Sequence, residues 1–196
     1  MRGERIAVFI DGGFLDKILQ YFKNSKIDYR KLVDFMVRDL PLLRVYYYNC
    51  LPYLSASPTD EELKRFSNKQ KFFRTLNKLP NFTVREGKLA YRGTDKDTED
   101  PIFEQKRVDV YLAVDLVMHS TKRLITHAAL LTGDSDLIPA IEIAKSEGVH
   151  VALYYLDSKG LHAPKAHDEL LEAVDERIAL HEELIFEWKR VDDQKG

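Results

Sequence analysis

The chain has 196 residues, a length that favours one domain with a full hydrophobic core. Hydrophobic residues make up 44% of the sequence, and 30 basic side chains nearly balance 32 acidic ones, which excludes a wholly disordered chain and a general nucleic-acid coat protein. The composition still allows an enzyme that holds a nucleic-acid strand through a local basic patch.

The sequence shows no sign of export or of membrane insertion. Its one cysteine, Cys50, cannot form an internal disulfide. The first apolar run covers only residues 6–10, which is too short for the core of a signal peptide, and no stretch approaches the roughly 18 apolar residues that span a membrane. We therefore expect a cytoplasmic protein with a single domain over residues 1–196, in which residues 181–196 form a C-terminal helical extension.

Strands and helices alternate along the chain. The first part of the chain is predicted to form a strand over 6–10, helices over 15–22 and 28–40, and a strand over 42–48. A basic helix over 58–79 with Pro58 in its first turn, a β-hairpin over 82–91 with its turn at Glu86-Gly87, and a polar loop over 93–101 follow. The rest of the chain is predicted to form helices over 108–119, 137–147, 166–174 and 184–189, strands over 124–131 and 149–156, and a short strand around 178. This alternation predicts an α/β fold with a parallel sheet that is covered by helices on both faces. In such sheets the ligand site lies beyond the carboxyl ends of the strands.

Aspartates occupy the predicted strand ends. Asp11 follows the first strand, and Asp134 and Asp136 follow the strand over 124–131. Asp109 lies at the start of the helix predicted over 108–119. Carboxylates that are gathered in one place repel one another unless a partner neutralises them. A hard divalent cation such as Mg²⁺ or Mn²⁺, which prefers oxygen ligands, is that partner. The chemistry that such a site supports is hydrolysis of a phosphodiester bond.

Each of these aspartates, except one, also has a structural interpretation. Asp11 before two glycines is typical of a turn, and Asp109 or Asp136 can cap a helix N-terminus. Asp134 has no such alternative in the sequence. Asp115 lies six residues after Asp109, on a different face of the helix, so we expect it at most to support the site.

Five stretches point to a family. They are RIAVFIDGGFL (5–15), RVYYYNCLPY (44–53), KRVDVYLAVDLV (106–117), LLTGDSDLIPAIEIAKSEGVHVALYY (130–155) and, more weakly, ELLEAVDERIAL (169–180). Together they resemble the NYN domains, a branch of the PIN-like nucleases, and in particular the bacterial LabA-like branch. Each stretch alone is a weak signal, but they occur in the order of the family and cover nearly the whole chain.

The resemblance implies a PIN-like α/β/α sandwich with a mainly parallel central sheet, an acidic metal site and cleavage of RNA. Carried over position by position, the acidic residues of that site are Asp11, Asp109, Asp134 and Asp136. Thr132 and Ser135 match the small polar positions beside the last two. Many NYN domains carry Asn three residues after the first aspartate, where this chain has Phe14.

Basic and aromatic residues supply candidate contacts to a substrate. Lys106 and Arg107 precede Asp109 and are placed to meet a phosphate, and the basic helix over 58–79 offers further cations. Such a helix is more often a solvated face. The tyrosines that could stack on bases are Tyr46, Tyr47, Tyr48, Tyr53 and Tyr91.

Three functions follow from these features. The first is a Mg²⁺- or Mn²⁺-dependent ribonuclease, the second a non-catalytic RNA-binding or regulatory module with the same fold, and the third a metal phosphatase that acts on a small substrate. The sequence leaves open whether one or two ions bind, whether RNA is cut internally or from an end, and whether the protein forms a homodimer.

Overall fold

The computed structural model describes residues 3–23, 26–94, 101–157, 160 and 163–190. The strands are β1 (Ile6–Asp11), β2 (Leu42–Asn49), β3 (Phe82–Glu86), β4 (Lys88–Thr94), β5 (Pro101–Lys106), β6 (His127–Leu131), β7 (His150–Leu156) and β8 (Glu176–Leu180). The helices are α1 (Gly12–Tyr21), α2 (Tyr29–Val37), α3 (Asp60–Asn77), α4 (Val108–Thr121), α5 (Ile138–Ser146), α6 (Asp168–Ala173) and α7 (Glu182–Glu187). None of the helices in these ranges is both long and apolar enough to cross a membrane.

A six-stranded sheet runs through the centre of the molecule in the order β3-β2-β1-β6-β7-β8. Every neighbouring pair in it is parallel. The chain moves outward from β1 to β3 and then returns to start β6 on the other side of β1. The carboxyl ends of β1 and β6 therefore flank the point where the strand order reverses, which is where ligands bind in sheets of this type.

Apolar side chains fill both faces of the sheet. One face packs against α1, α2, α3 and α7, and the other against α4, α5 and α6. Successive residues of β1 alternate between the two layers, since Val8 and Ile10 face the first and Ala7 and Phe9 face the second. The predicted α/β/α sandwich with a parallel central sheet is confirmed.

The hairpin predicted over 82–91 is wrong. β3 pairs in parallel with β2 at the edge of the central sheet, and the chain leaves the sheet at Gly87, whose N–H donates to the carbonyl of Asn49 at 3.0 Å. β4 pairs instead with β5 in a separate antiparallel ribbon. Both runs have the side-chain alternation of strands, but that alternation does not identify the partner of a strand. Residues 95–100 of the predicted polar loop lie outside the described residues.

The start of α3 also differs from the prediction. Thr59 caps the helix, and Glu62 completes a capping box with it, because each side chain accepts the backbone N–H of the other. Pro58 therefore lies before the helix and not in its first turn. The capping box fixes where α3 leaves the segment that follows β2.

Candidate functional site

Asp11 is the last residue of β1 and also caps α1. Its Oδ1 accepts the N–H groups of Gly13 at 2.8 Å and of Phe14 at 3.1 Å. Gly12 permits the abrupt change from strand to helix, because a Cβ there would lie 2.4 Å from the buried ring of Tyr47. Asp11 is thus a helix cap and not part of a free turn. Its Oδ2 accepts no hydrogen bond within the described ranges. The two N–H groups on Oδ1 hold the carboxylate and so set the position of Oδ2.

Asp134 and Asp136 follow β6 on a short 3₁₀ turn over Ser135–Leu137. Asp134 caps this turn, since its Oδ1 accepts the N–H of Asp136 at 2.9 Å. The expectation that Asp134 has no structural role is therefore wrong, and so is the assignment of Asp136 as the cap of the next helix. Asp136 is exposed, and α5 starts only at Ile138.

Asp109 lies in the first turn of α4 but does not cap it. The N-cap position is Arg107, which has a left-handed backbone with φ of 74°, and no side chain caps this terminus. The interpretation of Asp109 as an N-cap is wrong. Its side chain is half-buried, and within the described ranges the backbone N–H that lowers its pKa is its own.

The four carboxylates act on one another. Burial raises the pKa of Asp109, and the charges of Asp134 and Asp136 raise it further. Burial also raises the pKa of Asp11 to about 6; the two backbone N–H groups oppose this shift, the charge of Asp109 adds to it and Lys17 opposes it. Asp109 is thus the residue that links the β1 side of the edge to the β6 side.

The donor set fits Mg²⁺ or Mn²⁺ in its chemistry, because it consists of carboxylate oxygens that repel one another. In the ranges that the structure describes, no three His, Cys, Asp or Glu side chains stand close enough to hold one ion together. Holding one ion between three or more of these carboxylates therefore requires the side chains to turn inward. Asp11 and Asp134 each keep one oxygen fixed by backbone N–H groups, which limits that movement.

The other predicted site residues occupy different environments. Lys106 ends β5 and Arg107 follows it on the surface, both directly before α4. Thr132 is buried, and its Oγ1 accepts the N–H of Asp134 at 3.3 Å, so it holds the aspartate loop in place. Ser135 is half-buried at the start of the 3₁₀ turn.

Phe14 packs in the interior. A Cβ added to Gly133 would lie 2.5 Å from its ring, so this ring fills the space between α1 and the loop that follows β6. The residue that replaces the family asparagine therefore tightens the packing under the aspartate edge instead of offering a polar group to it.

Sequence analysis missed two polar residues beside this edge. Asn49 ends β2 and is buried; its amide donates to Asp16 and to the hydroxyl of Tyr47, each at 3.1 Å. Asp16 forms a salt bridge with Lys69 at 2.8 Å. The strand-end rule that selected Asp11 would also select Asn49. Asp16 carries no such signal, because its position depends on how α1 and α3 pack.

Comparison with known proteins identifies the family. The model of the NYN domain family matches residues 5–181. The chain belongs to the NYN domain family. NYN domains group with the PIN-like nucleases, whose members typically use divalent metals.

Two further similarities agree with this assignment. This NYN domain is 26% identical over 159 residues to "Low amplitude and bright protein LabA" of Synechococcus elongatus, with 80% of this chain and 76% of that protein covered. This supports the LabA-like branch. The crystal structure of a protein of unknown function from Vibrio parahaemolyticus matches with a TM-score of 0.61 at 16% identity, over 92% of this chain and 97% of that one, which shows a shared fold.

The raised pKa of Asp11 leads to a prediction about stability. Because the pKa rises from 3.8 to about 6 on folding, the folded state binds its proton more tightly, and the ionised form is disfavoured in the fold. In metal-free protein above pH 6, Asp11→Asn should raise the free energy of unfolding by about 2–3 kcal/mol, because the amide removes the charge and still caps α1. The gain should shrink as the pH falls from about 6 towards 4.

Chemical denaturation in EDTA over this pH range measures the effect. Asp34→Asn is the matched control, since Asp34 is an exposed carboxylate on α2, and it should change the free energy of unfolding little at any pH. If the gain in the free energy of unfolding of Asp11→Asn stayed constant between pH 7 and pH 5, it would contradict a pKa of Asp11 raised by burial.

Proposed function

We propose that the protein is a Mg²⁺- or Mn²⁺-dependent ribonuclease that hydrolyses phosphodiester bonds of RNA at the edge between β1 and β6. The observation that supports this most strongly is the position of Asp11 and Asp134 at the carboxyl ends of the neighbouring parallel strands β1 and β6. Burial raises the pKa of Asp109, and the charges of Asp134 and Asp136 raise it further, which agrees with this position. Like charges around a half-buried carboxylate repel its ionised form, and a bound cation would relieve that repulsion. Perturbed carboxylates of this kind cluster at functional sites.

The residues have distinct roles in this proposal. Asp11, Asp134 and Asp136 would hold the ion, and Asp109 would either join them or orient the attacking water as its base. When bound, a divalent cation withdraws charge from the phosphate and makes a water molecule easier to deprotonate. Lys106 and Arg107 lie directly before α4 and would neutralise a phosphate oxygen. Thr132 keeps the Asp134 loop in position.

Aromatic rings on the ribbon that precedes α4 favour single-stranded RNA as the substrate. Tyr53, Tyr91 and Phe103 form a cluster with ring centroids 5.2–6.0 Å apart. Tyr91 is 48% exposed and Phe103 is 39% exposed, so bases can stack on them. The ribbon of β4 and β5 that carries these two rings leads directly into Arg107 and α4.

The three consecutive tyrosines of β2 do not share this role. Tyr46, Tyr47 and Tyr48 are all buried in the two apolar layers. Their selection as base-stacking residues is wrong, because a strand in the middle of a covered sheet turns both of its faces inward.

One observation favours a second candidate, a non-catalytic RNA-binding or regulatory module. Within the described ranges, the acidic side chains do not converge on a common point at ligand distance. A domain that binds RNA through the ribbon and the basic helix, without cleaving it, would need no such convergence.

The test compares two substrates under one set of conditions. The protein is incubated with Mn²⁺, with Mg²⁺ or with EDTA, and it is given either a labelled single-stranded RNA or p-nitrophenyl phosphate. We expect the RNA to be shortened in the presence of metal only, and the small ester to stay intact. Hydrolysis of the ester without RNA cleavage would instead indicate a phosphatase, and RNA that is bound but never cut would indicate the binding module.

A further inference from the structure

A groove of about 830 Å³ runs between α1, the start of α2 and α3. It lies on the face of the sheet opposite α4. The side of α3 that lines it repeats at helical spacing, with Arg65, Asn68, Lys69 and Phe72 as successive members. Ligand pockets typically measure ~300–1,000 Å³, so this groove has room for a nucleotide-sized group.

The rim of the groove is cationic. Five basic residues and two acidic residues line it: Lys26, Arg30, Arg65, Lys69 and Arg190, and Asp16 and Asp28. Of these five cations only Lys69 takes part in a salt bridge within the described ranges, and its partner is Asp16. Lys26, Arg30, Arg65 and Arg190 are exposed. A chain of phosphates would supply the missing negative charge.

Aromatic rings line part of the groove, beside the aliphatic side chains of Leu19, Ile27, Leu76 and Leu79. The rings of Tyr29 and Phe72 lie with centroids 5.5 Å apart, and both side chains are half-buried. The ammonium group of Lys69 lies 5.5 Å from the centroid of the Phe72 ring. Aromatic rings beside cations are a combination by which proteins hold single-stranded nucleic acid, since bases stack on the rings while phosphates meet the cations.

One end of the groove lies along α1, the helix that Asp11 caps. Asp16 lines the groove and follows Asp11 by five residues, which is about one and a half helical turns. A strand with one phosphate at the aspartates would therefore enter the groove along α1.

We propose that this groove binds the flank of a single-stranded RNA whose neighbouring phosphate lies at the aspartate edge. This rests on the proposed function for the presence of RNA at that edge. The alternative occupant with the same chemistry is a free mononucleotide. A strand is favoured because the cations come from three separate parts of the fold, the start of α2, the side of α3 and the segment after α7.

The test measures the binding of a labelled oligouridine in EDTA, by fluorescence anisotropy, over a series of salt concentrations. The groove variant is Arg30→Gln/Arg65→Gln. The matched control is Lys64→Gln/Lys71→Gln, which removes two exposed cations of α3 that do not line the groove. Thermal unfolding of both variants confirms that they are folded.

We expect the groove variant to bind about 10-fold more weakly, and its log–log salt slope to fall by roughly 1.4, since each phosphate contact of a single strand contributes about 0.7. The control should keep the wild-type slope. Equal losses in both variants, or none in the groove variant, would overturn the groove assignment, and so would displacement of the oligonucleotide by uridine monophosphate at the same concentration of nucleotide units.

The outcomes separate this inference from the proposed function. If the wild-type protein cleaves RNA with Mn²⁺ and the groove variant binds normally, then the groove assignment fails and the ribonuclease stands. If RNA binds through the groove but no metal supports cleavage, then the groove stands and the ribonuclease fails. If the wild-type protein binds no RNA, both fail.

Discussion

Asp109→Asn should lower the rate of metal-dependent RNA cleavage by about 10²–10³-fold. Asp109 interacts with both sides of the edge. Its charge raises the pKa of Asp11 at the end of β1, and the charges of Asp134 and Asp136 after β6 raise its own pKa. The amide keeps the shape of the side chain and removes the charge. Because the fold disfavours the ionised form of Asp109, the free energy of unfolding of the metal-free variant should be unchanged or higher.

Single-turnover cleavage of a labelled RNA in Mn²⁺ measures this loss. Asp34→Asn again serves as the control and should cleave at the wild-type rate. Wild-type cleavage by folded Asp109→Asn would remove Asp109 from the site. A variant that loses both cleavage and stability would contradict the interpretation that this carboxylate serves function and not the fold.

Arg85→Met should lower the free energy of unfolding by about 2–3 kcal/mol. Asp115 is buried, and both of its oxygens are bound by Arg85, with Nε and Nη2 each at 3.0 Å. The hydroxyl of Tyr48 also donates to it at 3.0 Å. Removal of the guanidinium leaves a buried carboxylate with one neutral partner. The expected loss lies below the roughly 3–5 kcal/mol typical of a fully buried pair, because the Arg85 side chain is 40% exposed and water can enter.

The control for this prediction is a surface ion pair. Arg92 and Glu104 pair on the ribbon with half of each side chain exposed, so Arg92→Met should change the stability by less than about 1 kcal/mol. Urea denaturation at pH 7.5 compares the two variants. An equal effect for both would show that Asp115 does not depend on Arg85. Addition of Asp115→Asn to Arg85→Met should recover part of the loss, since it removes the unpaired charge.

Asp115 also shows what helical spacing can tell. The sequence placed it on a different face of its helix from Asp109, and the structure agrees, because it turns towards β2 and β3. Helical spacing does not identify its partner, Arg85, which is 30 residues away on a strand at the edge of the sheet. A pair of this kind depends on the register of β2 against β3.

Most of the central sheet follows from local patterns. The apolar runs of β1, β6 and β7 are buried on both faces, and such runs between helices occur in parallel sheets. The error at β3 arose because pairing is a long-range property: Phe82 pairs with Val45 across an intervening helix. Two short strands separated by a glycine resemble a hairpin until that partner is known.

The site was predictable to the extent that it depends on strand ends. Asp11 and Asp134 lie where the strand-end rule expects them, on either side of the reversal between β1 and β6. The capping roles were not predictable, since a 3₁₀ turn before α5 transfers the cap from Asp136 to Asp134. The groove was not predictable either, because a basic helix does not reveal which of its faces meets α1.

The most direct measurement is the binding of Mn²⁺ to the intact protein at pH 7.5, followed by electron paramagnetic resonance of the free ion. If the carboxylates around Asp109 hold a cation, Mn²⁺ should bind to the wild-type protein in a saturable way. Its affinity for Asp109→Asn should be at least about 10-fold lower. Equal binding by the two proteins, or no saturable binding by the wild type, would contradict the assignment of this edge as a metal site.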